Sequence, residues 1–394
     1  MTVIKIIFWV SLFIIGYSYI GYGILLFILV RIKRIFVKPK ALTESTYEPS
    51  VTLVVAAYNE EDFIQTKMDN TLQLDYPEDK LEVVFITDGS TDNTPGIISR
   101  NARFRLLHQP LRKGKVAAMN RAIDFISSPI VIFCDANTLL NSECIRMLVR
   151  HYQNEKVGAV AGEKKIQVPE DGQAAATGEG LYWKYESFLK RLDAELYSVV
   201  GAAGELFSIR TFLFEKAAEN TIIEDFVQSL QVCLKGYVVQ YEPMAYAVES
   251  ASVSMREEQK RKIRICAGAF QAMGILRELF NVFKYPVLSF QFVSHRILRW
   301  TICPICLITL LISNIFLVLM EDRPFYFVLL FLQLIFYSLA VIGWVNASRN
   351  IKIKFLYVPY YFFFMNASVF LGFARFVRNK QSVLWEKAAR QKTA

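Results

Sequence analysis

The chain contains Ile130-Val131-Ile132-Phe133-Cys134-Asp135-Ala136-Asn137, an unbroken apolar run that ends at an aspartate and an asparagine. A continuous apolar run of this length is typical of a strand buried on both faces, as in a parallel sheet covered by helices. Two oxygen-bearing side chains at the end of such a strand can share one hard divalent cation, Mg²⁺ or Mn²⁺. Either side chain could instead cap a helix, so this segment alone leaves both interpretations open.

Apolar runs alternate with helical patterns on the N-terminal side of this segment. Further strands are predicted at 51–56, 81–87 and 104–108, and helices at 62–73, 115–127 and after the second strand to about residue 102. Strands that alternate with helices predict an α/β fold with a mostly parallel sheet. Ligands bind such sheets at the carboxyl ends of the strands. Three of these strands end in acidic or amide side chains, which places a candidate site at that edge.

The composition describes a chain of 394 residues that is part soluble domain and part membrane protein. Hydrophobic residues make up 54% of it and charged residues 21%, and the mean hydropathy is +0.30. An ordinary soluble domain is about 45–50% apolar, so a disordered chain and a wholly soluble enzyme are both excluded. The six cysteines show no framework spacing. Their pattern excludes a disulfide-knit secreted module and favours free cysteines in a reducing compartment.

Long apolar runs predict one N-terminal and two to three C-terminal transmembrane helices. The first covers about 4–30, and two more cover about 300–320 and 325–345. Each is long enough for the roughly 20 residues that cross a bilayer. A fourth apolar stretch, 355–373, has positive charge on both flanks. That charge favours a re-entrant or interfacial segment over a full span.

The net charge of +9 is concentrated beside these apolar runs, at 31–40 and at 375–380. This placement favours a membrane surface over nucleic acid as the partner of the basic residues. It also predicts that the flanked ends lie on the cytoplasmic side. The chain is therefore expected in the cell (inner) membrane as a multi-pass protein with a cytoplasmic central domain. A transporter is disfavoured, because the apolar runs hold almost no ionisable groups.

Three further polar motifs each have two interpretations. The segment Lys113-Gly114-Lys115 could meet a diphosphate or form a solvated loop. The pair Glu224-Asp225 precedes an amphipathic pattern at 226–234, where a carboxylate either caps a helix or acts as a general base. Basic residues clustered between 256 and 264 fit a diphosphate clamp or a helix at the membrane surface.

Taken in order, these motifs resemble those of the family 2 glycosyltransferases with a GT-A fold. The arrangement between membrane segments is similar to that of the polysaccharide synthases, such as the cellulose, hyaluronan and poly-N-acetylglucosamine synthases. The resemblance covers about residues 49–275. The matching motifs are Ala57-Tyr58-Asn59-Glu60-Glu61, Thr87-Asp88-Gly89-Ser90-Thr91-Asp92, Lys113-Gly114-Lys115 through Asn120, Asp135-Ala136-Asn137, 204–210 and Glu224-Asp225.

The resemblance implies a Rossmann-like α/β GT-A domain that transfers a sugar from a nucleoside diphosphate sugar, with a UDP-sugar as the expected donor and inversion at the anomeric carbon. The implied nucleotide-sugar-binding residues are Ala57, Tyr58, Asn59, Glu60, Asp88, Lys113, Lys115, Arg261 and Arg264. The other implied site residues are Asp225 as the catalytic base with Glu224 beside it, Gly204 and Glu205 on the acceptor side, and Asp135 and Asn137 as ligands of Mg²⁺ or Mn²⁺.

The resemblance also divides the chain into five segments. They are an N-terminal transmembrane helix and basic stop at 1–34, a cytoplasmic GT-A catalytic domain at 49–250, amphipathic interfacial helices with the basic diphosphate-side motif at 251–299, a C-terminal membrane region at 300–376 and a basic tail at 377–394. The implied partners are the nucleotide sugar, membrane lipid and an acceptor. The acceptor is either a growing polysaccharide or a lipid-linked one, such as a polyprenyl phosphate that receives a single sugar.

The sequence departs from the family pattern at two motifs. Asn137 replaces the second acidic residue of the metal motif, which keeps an oxygen ligand without its charge. Lys262 and Ile263 stand where the processive synthases carry the Arg and Trp of a Gln-x-x-Arg-Trp motif. That Trp stacks on the acceptor sugar in the family. Trp183 and Trp385 are candidates to replace it, although interfacial anchoring or core packing is the plainer role for both.

Overall fold

The computed structural model describes residues 1–37, 47–167, 174–250, 254–348, 353–382 and 384. Within these residues eight strands form one sheet in the order β3-β2-β1-β4-β7-β6-β8-β5. The strands are β1 (Val51–Ala57), β2 (Leu81–Asp88), β3 (Arg105–Gln109), β4 (Ile130–Asp135), β5 (Thr138–Leu140), β6 (Val157–Gln167), β7 (Leu206–Arg210) and β8 (Val238–Ser250). The α/β class is therefore confirmed.

The sheet is mixed but mostly parallel, as the alternating pattern predicts. Strands β3, β2, β1 and β4 run parallel to one another, and β6 pairs parallel with β8 in the same direction. Only two of the described strands run against the others: β7 is antiparallel to both β4 and β6, and β5 is antiparallel to β8. A parallel connection needs a crossover of a dozen or more residues. The link between β4 and β5 is only Ala136-Asn137, so β5 cannot lie parallel beside β4.

The helices of the described chain are α1 (Thr2–Gly16), α2 (Tyr22–Phe36), α3 (Glu61–Leu72), α4 (Thr94–Ile98), α5 (Lys115–Ile123), α6 (Cys144–Val149), α7 (Ala174–Leu196), α8 (Glu224–Leu234), α9 (Met255–Ile275), α10 (Pro286–Phe292), α11 (Leu298–Trp300), α12 (Ile302–Met320), α13 (Pro324–Ser348) and α14 (Tyr357–Val377). π-Helical turns continue α1 into α2 over Tyr17–Gly21 and lie between α10 and α11 over Val293–Ile297. The helices predicted to end near residues 102 and 127 end earlier, at Ile98 and Ile123.

Helices cover both faces of the sheet, as the unbroken apolar strands predict. Every residue of β1 is buried. Val54 packs in one hydrophobic core with Ala118 of α5, whereas Leu53 and Val55 pack in the other core with Ile64 of α3. The fixed position of β1 between two cores holds the loop at its carboxyl end in place.

Four helical segments of the described chain are long and apolar enough to cross a membrane: Thr2–Phe36, Ile302–Met320, Pro324–Ala347 and Tyr357–Val377. These segments indicate a membrane-integrated protein and agree with one N-terminal and three C-terminal membrane helices. The segment predicted as re-entrant or interfacial forms α14 without a break, which corrects the re-entrant interpretation. The predicted basic residues 38–40 and Trp385 lie outside the described residues, and the predicted domain boundaries stay a prediction.

The long helix α7 joins the sheet to the first membrane helix. Tyr22 and Leu26 of α2 pack in one buried cluster with Leu189 and Leu192 of α7. Beyond this cluster, the Lys33 ammonium donates hydrogen bonds to the carbonyls of Glu195 and Leu196 at 2.8 and 2.9 Å. Helix α2 therefore covers one apolar face of α7.

A buried charged cluster joins α7 to the segment that leads into α12. The Glu186 carboxylate is 1% exposed and lies 2.8 Å from the Arg296 guanidinium and 2.9 Å from that of Arg299. His295 is also buried, and its Nδ1 lies 2.6 Å from Asp193 Oδ2. Breaking a buried pair by removing one partner typically costs about 3–5 kcal/mol, so this cluster fixes α7 against the membrane helices.

Candidate active site

The candidate site lies at the carboxyl ends of β1, β2 and β4. Parallel pairing places Ala57 of β1 opposite Thr87 of β2, and Ala56 opposite Asp135 of β4. The loops that follow Ala57, Asp88 and Asp135 therefore start side by side at one edge of the sheet. This arrangement follows from the parallel pairing of β1 with β2 and β4, which the alternating strand and helix pattern predicts.

A small cleft opens between the first two of these loops. Its lining includes Ala57, Tyr58, Asp88, Arg112 and Lys115. The Arg112 guanidinium lies over the Tyr58 ring, 3.7 Å from its centroid. The cleft thus combines an aromatic face, two cations and one acidic residue, a set that suits a planar base joined to an anionic group.

Asp88 holds the basic loop that precedes α5. Its Oδ2 accepts hydrogen bonds from the backbone N–H groups of Lys113 at 2.9 Å and Gly114 at 2.6 Å. Its Oδ1 is buried and has no hydrogen-bond partner among the described residues. Gly114 has φ +100°, a conformation that a side chain would strain. Asp88 therefore shapes the loop with one oxygen and keeps the other for a ligand, while the Lys113 side chain is exposed.

Asn59 and Glu60 have a structural role in this geometry. The Asn59 Oδ1 accepts a hydrogen bond from the Thr91 N–H at 2.8 Å, and the Glu60 N–H donates to the Thr94 hydroxyl at 2.8 Å. Asn59 has φ +53°, a left-handed conformation that asparagine tolerates better than most residues. These bonds tie the loop after β1 to the loop after β2 and so position Tyr58.

Lys115 connects the end of β4 with the start of α8. Its ammonium lies 2.8 Å from Asp135 Oδ1 and 3.1 Å from Glu224 Oε1. Although burial lowers it, the pKa of Lys115 is held above its ordinary value by the carboxylates of Asp135 and Glu224. Lys115 is therefore charged and neutralises two acidic motifs that are far apart in sequence.

Gly204 closes this cluster from the acceptor-side loop. A Cβ placed on Gly204 would lie 2.9 Å from the Lys115 ammonium and 3.2 Å from Asp225 Oδ2. Any larger side chain would therefore displace one of these groups. The structure brings together the predicted acceptor loop, the predicted base and the predicted metal motif around one lysine.

Asp225 is a half-buried carboxyl in a negative environment. Burial and the neighbouring Glu224 carboxylate raise the pKa of Asp225 to about 7, and Lys115 opposes this rise. A general base works best when its pKa lies near the operating pH. Asp225 therefore has the pKa that abstraction of a hydroxyl proton at neutral pH requires.

A chain of alternating charges extends from Glu205 to α9. The Lys164 ammonium is ion-paired with both Glu205 and Glu249. Arg261 lies 3.7 Å from Glu249 and 3.0 Å from Glu258. Although burial raises it, the pKa of Glu205 is held below its ordinary value, chiefly by Lys164. Arg261 thus reaches the acceptor side of the site rather than the cleft beside Asp88.

Arg264 lies on the same helix and supports the loop before α8. Its guanidinium donates a hydrogen bond to the Ile222 carbonyl at 3.1 Å, two residues before Glu224. Its Nε is buried with no hydrogen-bond partner in the part of the chain that the structure describes. The predicted pair Arg261 and Arg264 therefore flanks the cluster, and its contact with a diphosphate stays a prediction.

Sequence reasoning missed Lys164 and Glu249, although the sequence carried a signal for both. Alternate residues of a strand share one face. Val160 and Gly162 precede Lys164 on the buried face of β6, and Ala247 precedes Glu249 on that of β8. A charged residue at a buried position of a strand needs a residue of opposite charge beside it. Lys164 and Glu249 form such an ion pair with each other.

The catalytic part of the chain matches a known family. Residues 52–217 match the family model described as Glycosyl transferase family 2. This part of the chain is thus similar to a family 2 glycosyltransferase domain. The matched residues include the cleft, Lys115, Asp135 and Gly204, whereas Asp225 lies beyond their end.

Curated relatives match this glycosyltransferase over most of the same region. A poly-β-1,6-N-acetyl-D-glucosamine synthase of Staphylococcus epidermidis is 26% identical over 277 residues, which are 66% of this chain and 65% of that protein. The protein of the same name from Staphylococcus aureus strain MW2 is 26% identical over 265 residues, or 64% of this chain and 62% of that one. The match thus spans less than two thirds of the length of either relative.

A solved structure shares the fold of the glycosyltransferase over nearly its whole length. It is a mannosyltransferase from Pyrobaculum calidifontis in complex with GDP-Man and Mn²⁺. The TM-score is 0.67 at 21% identity, and the likeness covers 95% of this chain and 99% of that one. The GT-A fold and the arrangement of apolar helices around it are therefore confirmed.

The metal motif of the glycosyltransferase offers an incomplete set of ligands. Asp135 and Asn137 lie half-buried at the end of β4, and burial raises the pKa of Asp135 against the effect of Lys115. The described residues contain no group of three or more His, Cys, Asp or Glu side chains that could hold a metal ion. Mg²⁺ is commonly held by one or two carboxylates together with substrate phosphates. The two residues fit a cation that arrives with a diphosphate.

The position that carries Trp in the processive synthases is closed in this glycosyltransferase. Ile263 is buried, and its carbonyl would lie 2.9 Å from a Cβ on Gly372 of α14. Helix α9 packs closely against α14 at this point, and an aliphatic side chain takes the place of the indole. Trp183 lies elsewhere, on α7, and is half-buried beside Lys164.

Proposed function

We propose that the chain transfers a sugar, with inversion, from a UDP-sugar to a hydroxyl of a growing polysaccharide at the cytoplasmic face of the cell membrane. The observation that carries this proposal is the cluster around Lys115. In this cluster the Lys115 ammonium lies 2.8 Å from Asp135 Oδ1, and a Cβ on Gly204 would lie 2.9 Å from that ammonium and 3.2 Å from Oδ2 of the half-buried Asp225. The cluster borders a cleft lined by Tyr58, Asp88 and Arg112, which offers an aromatic face and charged groups to a nucleoside diphosphate.

The donor is held between the loops after β1 and β2. The base of the nucleotide lies against Tyr58, where Arg112 backs the ring. Asp88 Oδ1, which is buried without a protein partner among the described residues, accepts a hydrogen bond from an N–H of the base. Lys113 is exposed on the loop beside the cleft and would contact the diphosphate. Arg261 and Arg264 would close over it from α9 once Arg261 leaves Glu249 and Glu258.

The transfer is a single displacement at the anomeric carbon. The acceptor oxygen forms a bond to that carbon as the bond to the diphosphate oxygen breaks on the opposite face. Asp225 takes the proton of the attacking hydroxyl, and Glu224 keeps Lys115 in position. A cation held by Asp135 and Asn137 with the diphosphate oxygens would offset the charge of the leaving group.

The orientation follows from the charges beside the membrane helices. Arg31, Lys33 and Arg34 end the first helix on the side of the catalytic domain, since the Lys33 ammonium contacts α7. Positive residues are retained in the cytoplasm, so the catalytic domain faces the compartment where nucleotide sugars are made. The four apolar helices are therefore in direct contact with membrane lipid.

The names of the relatives suggest the sugar to test first. Both are poly-β-1,6-N-acetyl-D-glucosamine synthases, so we propose N-acetylglucosamine as the transferred sugar. One observation favours a second candidate function. The closed, buried position of Ile263 removes the aromatic platform of the processive enzymes, which fits addition of a single sugar to a polyprenyl-phosphate acceptor.

The test is product analysis with the full chain in lipid nanodiscs. The protein is incubated with radiolabelled UDP-N-acetylglucosamine, UDP-glucose and GDP-mannose, and the products are separated by size and by extraction into organic solvent. Polymer from a UDP-sugar supports the proposal, and a single-sugar lipid supports the second candidate. The Asp225→Asn variant controls for background transfer. Wild-type protein that binds a nucleotide sugar but transfers it to neither acceptor would overturn both candidates.

A further inference from the structure

One face of α7 carries an aromatic ring between two ammonium groups. Trp183 is half-buried, and the ammonium groups of Lys164 and Lys190 each lie 5.2 Å from its ring centroid. Trp183 and Lys190 are two helical turns apart and so share one face of α7. Lys164 approaches the same ring from β6.

The two lysines differ in how they are satisfied. Lys164 is ion-paired with Glu205 and Glu249. Lys190 is 2% exposed, yet no hydrogen bond or ion pair joins its ammonium to any residue that the structure describes. Burial and the nearby Arg296 guanidinium lower the pKa of Lys190. The carboxylates of Glu186, Glu163 and Glu205 oppose this shift. An oxygen supplied by a ligand would give the ammonium a hydrogen-bond acceptor.

A chain of contacts joins the ring to the predicted base. Lys164, which contacts Trp183, is ion-paired with Glu205. The residue before Glu205 is Gly204, and a Cβ placed on it would lie 3.2 Å from Asp225 Oδ2. The indole and the base are therefore connected through Lys164, Glu205 and Gly204.

We propose that Trp183 and Lys190 form the acceptor subsite, in which a sugar ring of the acceptor packs its C–H face on the indole and one of its hydroxyls accepts a hydrogen bond from the Lys190 ammonium. This inference rests on the proposed function and names the residues that hold the acceptor. The chemistry is that of any carbohydrate site. A flat aromatic face binds the apolar side of the ring, and a buried donor fixes its orientation.

The lysine gives a test that separates ligand binding from a structural role. Replacing Lys190 with Met keeps the length of the side chain and removes the ammonium together with its contact to the Trp183 ring. The Lys190→Met variant should raise the acceptor KM by about 10-fold, which is the loss of one hydrogen bond to a charged donor. A lysine that only supports the fold would leave the acceptor KM of the folded variant unchanged.

The tryptophan is tested with a graded pair. Trp183→Leu should raise the acceptor KM by about 10-fold or more, and Trp183→Phe should recover part of the loss because it keeps a ring. Trp344→Leu is the matched control, since Trp344 is exposed on α13, and should leave the KM unchanged. The KM for the donor and donor hydrolysis without acceptor should stay at wild-type values in all three variants.

The outcomes are distinguishable from failure of the proposed function. Unchanged acceptor KM in both Lys190→Met and Trp183→Phe overturns the acceptor subsite, even if Trp183→Leu fails to fold. A change in donor KM of the same size as that for the acceptor also overturns it. In either case a wild-type protein that still hydrolyses or transfers the nucleotide sugar leaves the proposed function intact.

Discussion

Replacing Asp225 with Asn is expected to make the protein more stable and nearly inactive. The carboxyl is half-buried beside Glu224, and its pKa rises from an ordinary 3.8 to about 7. This difference corresponds to about 4 kcal/mol by which the folded state disfavours the ionised form. Asparagine has nearly the same size and carries no charge, so the variant avoids that cost. General-base catalysis contributes about 10²–10⁴-fold, and transfer should fall by that factor.

The sign of the effect fixes its dependence on pH. Because the pKa of Asp225 is higher in the folded state than in the unfolded state, ionisation is easier in the unfolded chain. The free energy of unfolding of the wild type, compared with that of Asp225→Asn, therefore falls as the pH rises from about 4 to about 7. The loss amounts to roughly 1.4 kcal/mol per pH unit within this window and stays constant above it.

The assay is thermal unfolding of both proteins in one detergent between pH 5 and pH 9. The advantage of the variant should grow up to about pH 7 and then level off. An exposed aspartate replaced in the same way, Asp62→Asn, should show no such trend. Equal unfolding temperatures of wild type and Asp225→Asn at pH 8, or an advantage that is independent of pH, would refute the assignment of Asp225 as a half-buried, strained base.

Two further predictions concern the metal and the orientation. EDTA should abolish transfer, and Mg²⁺ or Mn²⁺ should restore it. The Asp135→Ala variant should lose the cation-dependent part of nucleoside diphosphate binding, measured by calorimetry. Full activity in chelator would contradict this prediction. A membrane-impermeant maleimide added to intact cells should label a cysteine engineered at Asp322 and spare one at Glu155, against a low background because all six native cysteines are buried. Labelling at Glu155 in intact cells would reverse the orientation.

The first half of the fold could be predicted because its signals are local. Strands β1, β2 and β4 are apolar runs that end in polar residues, and parallel pairing then forces Asp88 and Asp135 to one edge of the sheet. The strands from β5 to β8 carry no comparable signal. The reversal at β5 depends on a two-residue link, and the partner of β6 is β8, which lies far along the chain.

The site was predictable as a set of motifs but not as a geometry. The ion pairs of Lys115 with Asp135 and Glu224 could not be predicted from the sequence. These residues are far apart along the chain, and the fold of the sheet brings them together. The resemblance assigns Lys115 to the nucleotide sugar, whereas its ammonium lies in the acidic cluster. Arg261 likewise contacts Glu249 and Glu258, since an ion pair within the protein is available to it in this structure.

The contact between α2 and α7 limits how far this protein can be treated as modular. Leu189 and Leu192 are shielded from water by the first membrane helix, and Glu186 is neutralised by arginines that lead into the next one. A fragment cut at the ends of the sheet would keep its strands but would expose an apolar stripe and a buried carboxylate on the helix that borders its site. Helix α2 is thus part of the structure that supports the candidate site. Replacing it with another membrane helix would require new side chains to cover the apolar face of α7.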